Sequence, residues 1–352
     1  MNVSRSLIVV LLVAPLAPMA ALDGAANVRS DAIRVARFKG DRAAAVSITL
    51  DDNLRNQEDV AVPLLNSYGI RATFFVIPGL TPETNEEAAK KSPGEWGGIS
   101  WPQLRELSAQ GHEIASHTWT HEPVITTTNG KRVDMEPAKL DAQLAKACAA
   151  ITEKIGVAPF TFASPGNAID DVVRAAVRKY HPVLRDHCER FGDWPPTSKR
   201  FSTEQANAMV DRYLAQGKAL VWMVHALTDG YNAQSGPEVF GNHLKYLKSR
   251  EDVLWLDTLA HVSRYTLERD ATTLTQSLSG NRAAFTLASP LAPNLFSDPL
   301  TVVIPVKAAA QVEARREGSP VLLPVETRND CILVQAAPSP AQVVVTWRTG
   351  AR

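Results

Sequence analysis

The amino-acid sequence predicts an α/β protein built on a parallel sheet or a (β/α) barrel, followed by a small all-β domain. Two observations predict this class. Strand-like apolar runs alternate with helical patterns from Ala43 to Glu268, and repeated strand–helix units form parallel sheets or barrels. After Arg269 the pattern changes to short β-rich runs that are separated by clusters of Gly, Pro, Asn and Ser.

Six apolar runs are predicted as strands of the first unit: Ala44–Leu50, Ala72–Ile77, Glu113–Ser116, Phe160–Ala163, Ala219–Val224 and Val253–Leu256. The helical patterns between them carry start and stop signals. Ser100 and Ser202 stand where helices begin, each with a glutamine three residues later. Gly156 and Gly217 follow helical patterns and are typical helix stops. The segment Pro78–Gly98 is predicted as a long loop near the barrel mouth.

The first residues have the order of a secretory signal peptide. Arg5 precedes the apolar run Leu7–Ala14, and a stretch of small residues and proline follows. The run is too short to span a bilayer comfortably, although an uncleaved N-terminal anchor is the alternative. We therefore expect a leader over residues 1–26 and a barrel over 27–268. A β-rich domain is expected over 269–352, in a protein exported to the periplasm or secreted, with no integral membrane span after leader removal.

Composition excludes several classes of protein. Acidic and basic residues balance at 37 each, so the net charge gives no reason to expect nucleic acid as a partner. Three scattered cysteines without a Cys-x-x-Cys pair cannot form a structural zinc cluster or a dense disulfide framework. A hydrophobic content of 45% indicates a globular protein with a substantial core.

Metal-competent side chains follow three of the predicted strands directly. Asp51 and Asp52 come after the first strand, His117 and His121 after the third, and His225 after the strand that ends at Val224. In a (β/α) barrel the carboxyl ends of the strands meet on one face, where active sites lie. We therefore expect these five side chains to share one pocket.

The residue types suit a divalent metal ion. Two imidazoles, one carboxylate and a water form a common catalytic zinc site, and iron or cobalt can use the same ligands. Adjacent aspartates suggest a division of work, in which one binds the metal and the other acts as a base. His225 would then protonate a leaving group. Taken singly, Asp-Asp is often a helix cap and a lone histidine is often a core residue.

These motifs together resemble the polysaccharide deacetylase (NodB-homology) family, the carbohydrate esterase family 4 type. Thr49-Leu50-Asp51-Asp52 is similar to the family's T-F-D-D motif, and His117-Thr118-Trp119-Thr120-His121 to its H-[S/T]-x-x-H motif. Met223-Val224-His225 is similar to its L-x-H element. The resemblance implies a deformed (β/α) barrel of the NodB-homology type. It also implies a metal held by Asp52, His117 and His121, with Asp51 as general base and His225 as general acid.

Two motifs depart from the family pattern. Ala163-Ser164-Pro165-Gly166 stands where the family has R-x-P-Y, so the arginine that would orient the catalytic aspartate is missing. Of D-x-x-D-W only Asp193-Trp194 remains, with Arg190 at the first aspartate. We expect Arg190 to supply the charge that Ala163 lacks and Trp194 to form an apolar wall. Pro165, Trp194 and Arg190 are thus the predicted substrate-binding residues.

The predicted function is metal-dependent hydrolysis that removes acetyl groups from an acetylated poly- or oligosaccharide, the expected partner. Zinc is the first expectation for the metal, with cobalt, iron or nickel as alternatives. Two other functions stay open. One is hydrolysis of a non-sugar amide such as a cyclic imide or ureide, and the other is non-catalytic carbohydrate binding on the same barrel. The β-rich tail is expected to be structural rather than glycan-binding.

Overall fold

A computed structural model describes residues 32–192, 201–230 and 236–349 of the chain. Its strands in chain order are β1 (Arg34–Val35), β2 (Ala44–Asp51), β3 (Thr73–Val76), β4 (Glu113–Ser116), β5 (Ile125–Thr128), β6 (Lys131–Asp134), β7 (Thr161–Phe162), β8 (Val183–Leu184), β9 (Glu189–Arg190), β10 (Ala219–Val224), β11 (Leu254–Leu256), β12 (Thr273–Ser279), β13 (Arg282–Ala288), β14 (Leu300–Pro305), β15 (Ala309–Arg316), β16 (Val325–Thr327), β17 (Cys331–Ala336) and β18 (Ser339–Thr349). The predicted leader lies outside the described residues.

The α-helices in the described residues are α1 (Val62–Ser67), α2 (Asn85–Ala88), α3 (Trp101–Ala109), α4 (Pro137–Ile155), α5 (Asp171–Val177), α6 (Thr203–Gln216), α7 (Gly236–Ser249) and α8 (Leu259–Ala271). Among the described residues, no helix is both long and apolar enough to cross a membrane.

The first unit is a parallel sheet of eight strands in the order β8-β7-β4-β3-β2-β10-β9, with β11 also paired to β2. Each pairing in it is parallel. Two strands pair along the same edge of β2. Strand β11 pairs with residues 44–46 of β2, and β3 pairs with residues 49–51. Strand β2 is buried along its whole length, as a central strand covered on both faces must be. The predicted α/β barrel architecture is confirmed.

Local sequence signals place most of these helices correctly. Ser100 and Ser202 form complete capping boxes with Gln103 and Gln205. Gly156 adopts the left-handed conformation that ends α4, with φ 86°. Helix α1 is preceded by a π-helical turn, Gln57–Ala61. The second residue of α1 is a proline, which has no N–H to donate to this turn.

The tail consists of two antiparallel sheets, with strand orders β1-β14-β17-β16 and β12-β13-β18-β15. The additional all-β part that the sequence predicts is therefore present. Strand β1 pairs with β14, Arg34 opposite Val303, so a segment from before the barrel completes a tail sheet. The domain limits at residues 268 and 269 remain a prediction.

The tail packs against the amino ends of the barrel strands. One hydrophobic cluster joins tail residues such as Val302 and Val345 to Ala45, Trp255 and Tyr265 of the first unit. Ala45 lies at the start of β2, whereas the predicted site residues follow the ends of their strands. This packing places the tail away from the end of the sheet where barrel active sites form.

Candidate metal and active site

The structure brings the five residues of the predicted site together. Asp51, Asp52, His117, His121 and His225 line one cavity of about 220 Å³. They meet because β2, β4 and β10 run parallel in the same sheet, so that the residues that end or follow these strands share one edge.

The proposed ligand atoms are spaced as a tetrahedral metal site requires. Nε2 of His121 lies 3.2 Å and Nε2 of His117 lies 3.4 Å from Oδ1 of Asp52. One ligand atom from each residue falls within 4.8 Å of the others. Tetrahedral coordination at about 2.0–2.2 Å from the metal places ligand atoms roughly 3.3–3.5 Å apart. The two distances to Oδ1 of Asp52 therefore fit a metal ion shared by these residues.

The hydrogen bonding of these residues also fits a cation. Nδ1 of His117 lies 2.8 Å from the carbonyl oxygen of Ala163, and a carbonyl only accepts, so Nδ1 carries the proton. The neutral ring then directs the lone pair of Nε2 toward Asp52. Oδ1 of Asp52 is buried and receives no well-oriented hydrogen bond from the described residues. A metal ion satisfies both atoms.

Several residues of the site hold a left-handed backbone conformation. The φ angles are 77° at Asp52, 55° at Asn53, 66° at Thr118 and 60° at His121. Such angles are uncommon for residues other than glycine, and they cluster at functional sites where the surrounding structure enforces them. Here the amide of His121 donates to Oγ1 of Thr118 at 3.0 Å, which fixes the second imidazole relative to the first.

Asp51 is held by a buried arginine. Nη1 and Nη2 of Arg185 each lie 2.6 Å from one carboxylate oxygen of Asp51, and the exposed fractions are 1% for the arginine side chain and 2% for the aspartate. Burial alone would raise the pKa of Asp51, but the guanidinium holds it below its ordinary value. The Asp51 carboxylate is therefore ionised and fixed in direction.

The expectation that Arg190 supplies this charge is wrong. Arg185 supplies it, and it is anchored further by Oγ1 of Thr49 at 2.7 Å and Oδ1 of Asn167 at 3.2 Å. Sequence reasoning missed Arg185 because the two-residue strand β8 before it was not predicted. Arg185 follows β8 directly, so it obeys the same rule, a polar residue after a strand, that identified the other site residues.

His225 lies beside the proposed metal ligands. Its Nε2 is 3.9 Å from Oδ2 of Asp52, and burial lowers its pKa against the opposing effect of the two aspartates. Nε2 of Gln57 donates to the backbone oxygens of Asp51 and His225, which ties the two strand ends together.

Of the three predicted substrate-binding residues, only one lines the cavity among the described residues. Arg190 lines the cavity. Pro165 is buried at the start of a turn, and the neighbouring Gly166 and Asn167 line the cavity in its place. Trp194 lies outside the described residues. Sequence reasoning missed Trp96, which lines the cavity with its ring centroid 4.3 Å from that of His121.

Comparison with known proteins agrees with this geometry. Residues 39–182 match the family model described as polysaccharide deacetylase. The resemblance predicted from the motifs is thus confirmed, and this segment carries a polysaccharide deacetylase domain.

Two relatives show how far the likeness extends. The chain is 27% identical over 348 residues to a gellan lyase of a Bacillus species, covering 88% of this chain and 13% of that protein. It is 28% identical over 129 residues to chitin deacetylase 1 of Cryptococcus neoformans var. grubii, covering 36% of this chain and 22% of that protein. The chain therefore spans less than a quarter of the length of either relative.

Two solved structures are similar to part of the chain. A family 4 acetyl xylan esterase from Clostridium thermocellum, in complex with a cobalt ion, gives a TM-score of 0.44 at 21% identity, covering 64% of this chain and 91% of that one. A family 4 carbohydrate esterase from Streptomyces lividans, in complex with acetate, gives 0.39 at 20% identity, covering 60% and 90%.

Proposed function

We propose that the protein is a metal-dependent hydrolase that removes acetyl groups from an acetylated poly- or oligosaccharide. One observation carries this proposal. Asp52, His117 and His121 share a cavity with an arginine-held Asp51 and with His225. Both aspartates, His117 and His121 lie within the segment 39–182 that matches the polysaccharide deacetylase model. A protein that only binds glycans has no use for a positioned base beside a metal site.

Asp52, His117 and His121 would hold the metal ion, for which we propose zinc, with cobalt, iron or nickel as alternatives. When bound, the ion supplies Lewis-acid polarisation of the acetyl carbonyl and a more acidic water. The described residues offer three protein ligands, which is the number typical of catalytic zinc, with a further position left for water or substrate.

Asp51 accepts the proton of the attacking water. A carboxylate has about four acceptor positions, and Arg185 uses one on each oxygen, so others remain for water. The guanidinium fixes the direction of the carboxylate, which matters because a general base must lie within about 3 Å of the proton that it removes. Arg185 therefore acts as a positioning residue.

His225 delivers a proton to the departing amine or alkoxide. It projects into the cavity from a different strand than Asp51, so the base and the acid approach the reacting carbon from separate positions. Each acid–base partner is expected to contribute roughly 10²–10⁴-fold to the rate.

Acetate release by metal-loaded protein tests this proposal. Acetylated xylan, chitin oligomers and peptidoglycan fragments are the substrates, and metal content is measured in parallel. We expect wild-type protein to release acetate and a chelator to stop it. His121→Ala should lose metal and activity together, whereas His261→Ala, which changes a histidine outside the cavity, should keep both.

Three results would contradict the proposal. Full acetate release by metal-free His121→Ala would remove the metal assignment. Hydrolysis of cyclic imides or ureides without any acetate release would favour the non-sugar amide reaction, and tight glycan binding with no hydrolysis would favour a binding protein.

Export also remains a proposal, based on the predicted leader over residues 1–26. N-terminal sequencing of the protein recovered from the producing cells should place the mature start between about Ala20 and Ala26. A mature chain that still begins at Met1 would contradict it.

A further inference from the structure

Two exposed side chains line the cavity, and the hydrolytic mechanism uses neither. Trp96 is 43% exposed, and its ring packs at 4.3 Å, centroid to centroid, against His121. Arg190 is exposed on β9, where it pairs in register with Met223 of β10, another lining residue. Both groups are accessible to a bound molecule.

These two side chains lie on opposite sides of the catalytic aspartates. Strand β2, which carries Asp51, has β3 and then β4 on one side, and β10 and then β9 on the other. Trp96 packs on His121, which follows β4, whereas Arg190 belongs to β9. A sugar ring whose acetyl group reaches Asp51 therefore has an aromatic surface on one side and a guanidinium on the other.

Trp96 is held in place by the backbone of the site itself. The amides of Gly97 and Gly98 donate to the carbonyl oxygens of Asp52 and Asn53 at 3.1 and 2.5 Å. Nζ of Lys91 donates to the carbonyl oxygen of Trp96 at 2.7 Å. A preorganised aromatic ring loses little freedom when it binds a ligand, and the indole offers an apolar face of the kind that packs on the C–H face of a sugar ring.

Arg190 contributes positive charge that the described residues do not neutralise. Asp51 is already paired with Arg185, and Asp52 faces the histidines. Glu189, next in sequence, accepts hydrogen bonds from Arg212 and Tyr213 instead. Among the described residues, Arg190 has no ion pair with a carboxylate. A divalent cation in the site would make the cavity still more positive.

We propose that the preferred substrate is an acetylated glycan that also carries a carboxylate, such as one containing uronic acid residues. Trp96 packs against a sugar ring, and Arg190 binds the carboxylate through the two parallel hydrogen bonds that its planar group allows. The cavity of about 220 Å³ is smaller than the roughly 300–1,000 Å³ of pockets that enclose drug-sized ligands. The carboxylate is therefore on the acetylated residue or its immediate neighbour.

This inference rests on the proposed deacetylase function and specifies its substrate. It also agrees with the neutral net charge of the chain, because the positive charge that matters is local to the cavity. The charge of a residue at the edge of a site acts mainly on how fast and in which register the ligand binds. Loss of the Arg190 charge should therefore change KM more than kcat.

The test compares kcat and KM for acetate release from two sets of acetylated oligosaccharides of equal length, one neutral and one containing uronic acid. Wild-type protein should prefer the acidic set. Arg190→Gln should raise KM for the acidic set by about tenfold more than it raises KM for the neutral set, as expected for loss of a charge-assisted hydrogen bond. Arg190→Lys should retain part of the preference. Arg282→Gln removes an exposed arginine from β13 in the tail, and it should change neither.

Ionic strength and substitutions of Trp96 provide two further tests. Raising the ionic strength to about 0.5 M should reduce the wild-type preference, because exposed charges are screened, and should have little effect on Arg190→Gln. Trp96→Ala should raise KM for both sets, and Trp96→Phe should recover part of the loss.

The outcomes separate the two proposals. If metal-loaded protein releases no acetate from either set or from 4-nitrophenyl acetate, the proposed function fails. If it releases acetate but shows no preference for the acidic set, or if Arg190→Gln raises KM equally for both sets, the function stands and the carboxylate specificity is overturned.

Discussion

At the scale of single residues, the site depends on the pairing of the buried Asp51 carboxylate with the buried Arg185 guanidinium. Asp51 and Arg185 are both almost completely buried, and a buried ion is tolerated only when its partner and its hydrogen bonds are complete. Arg185 also lies with its guanidinium carbon 4.8 Å from the ring centroid of Phe75, where the aromatic face favours a cation. The arginine therefore contributes to stability as well as to positioning.

Arg185→Met should impair both properties. It leaves the Asp51 carboxylate buried without a partner, so we expect the free energy of unfolding to fall by about 3–5 kcal/mol and acetate release to fall by at least about 10²-fold. Chemical denaturation and initial rates measure the two effects. Arg190→Met, a matched change of an exposed arginine, should not alter the unfolding free energy.

A second substitution tests the cause of this loss. Adding Asp51→Asn to Arg185→Met removes the unpaired charge, so the double variant should recover stability while staying inactive. Equal stability of the single and double variants would show that lost packing, rather than an unpaired carboxylate, explains the defect.

At the scale of elements, the loop between β3 and α3 shapes the site from outside the sheet. Gly97 has φ +64°, and a Cβ at this position would lie 2.3 Å from the carbonyl oxygen of Leu80. Its amide donates to the carbonyl oxygen of Asp52. The loop and the metal ligand are therefore coupled through one short backbone contact.

Gly97→Ala should weaken metal binding. The added methyl group clashes with rigid backbone, so the loop must shift and pull on Asp52. We expect metal affinity to fall by about 10–100-fold, as it does when the groups that support a metal ligand are disturbed; metal titration measures it. Gly69→Ala is the matched control, because Gly69 has φ +65° and nothing within 4 Å of an added Cβ. A similar loss of affinity in both variants would mean that left-handed strain alone is responsible.

Sequence patterns predicted elements where a local signal decides the structure. Strands β4 and β10 have the predicted bounds, and helix α4 ends at the predicted Gly156, because apolar runs and helix caps act over a few residues. The hairpin of β5 and β6 was missed, although Asn129 and Gly130 have the positive φ angles of a tight hairpin turn and Asn-Gly is a strong signal for one. Its strands are mostly exposed and polar, so they lack the apolar pattern on which the prediction depended.

Tertiary context explains what the patterns could not supply. The two residues of β8 are too few to show a period of two, and they become a strand only by pairing with β7. For this reason Arg185 and Trp96 were not predicted as site residues. Both reach the cavity through contacts between segments far apart in the chain, and a single sequence does not record such contacts. The proposed metal ligands were predictable because Asp52 and His117 directly follow strands that could be recognised, and His121 is tied to His117 by the motif spacing.

At the scale of the whole molecule, the tail and the site occupy different ends of the barrel sheet. The hydrophobic cluster that joins the tail to the barrel contains Ala45 and Trp255, and Ala219 packs against it. Ala45 and Ala219 lie at the starts of β2 and β10, and Trp255 pairs with Ala45. Tyr265 of α8 strengthens this junction by donating to the carbonyl oxygen of Ala36 at 2.9 Å. The described tail residues do not line the cavity, which agrees with the structural role expected for this region.

A buried carboxyl group in this part of the molecule links stability to pH. Glu268 of α8 is fully buried, and the nearby Arg264 forms an ion pair with Asp298. Burial, with the Asp298 carboxylate, raises the pKa of Glu268 to about 7, while a backbone hydrogen bond from Asp298 and the charge of Arg264 oppose the shift. The folded protein therefore holds a proton that the unfolded chain, with a glutamate pKa near 4.5, has already lost at neutral pH.

The sign of the effect follows from proton binding. Between about pH 4.5 and 7 the folded state binds more protons than the unfolded state, so the free energy of unfolding falls as pH rises through this window and levels off above it.

Glu268→Gln keeps the shape of the side chain and removes the ionisation. We expect the variant to lose this part of the pH dependence and to exceed the wild-type protein in stability at pH 8 by on the order of 2 kcal/mol. Denaturant titrations at pH 5 and pH 8 give the comparison. Glu153→Gln, at an exposed position of α4, should follow the wild-type curve. If Glu268→Gln also follows that curve, the Glu268 carboxyl is already ionised and compensated in the folded protein, and the junction between barrel and tail is not the source of the pH dependence.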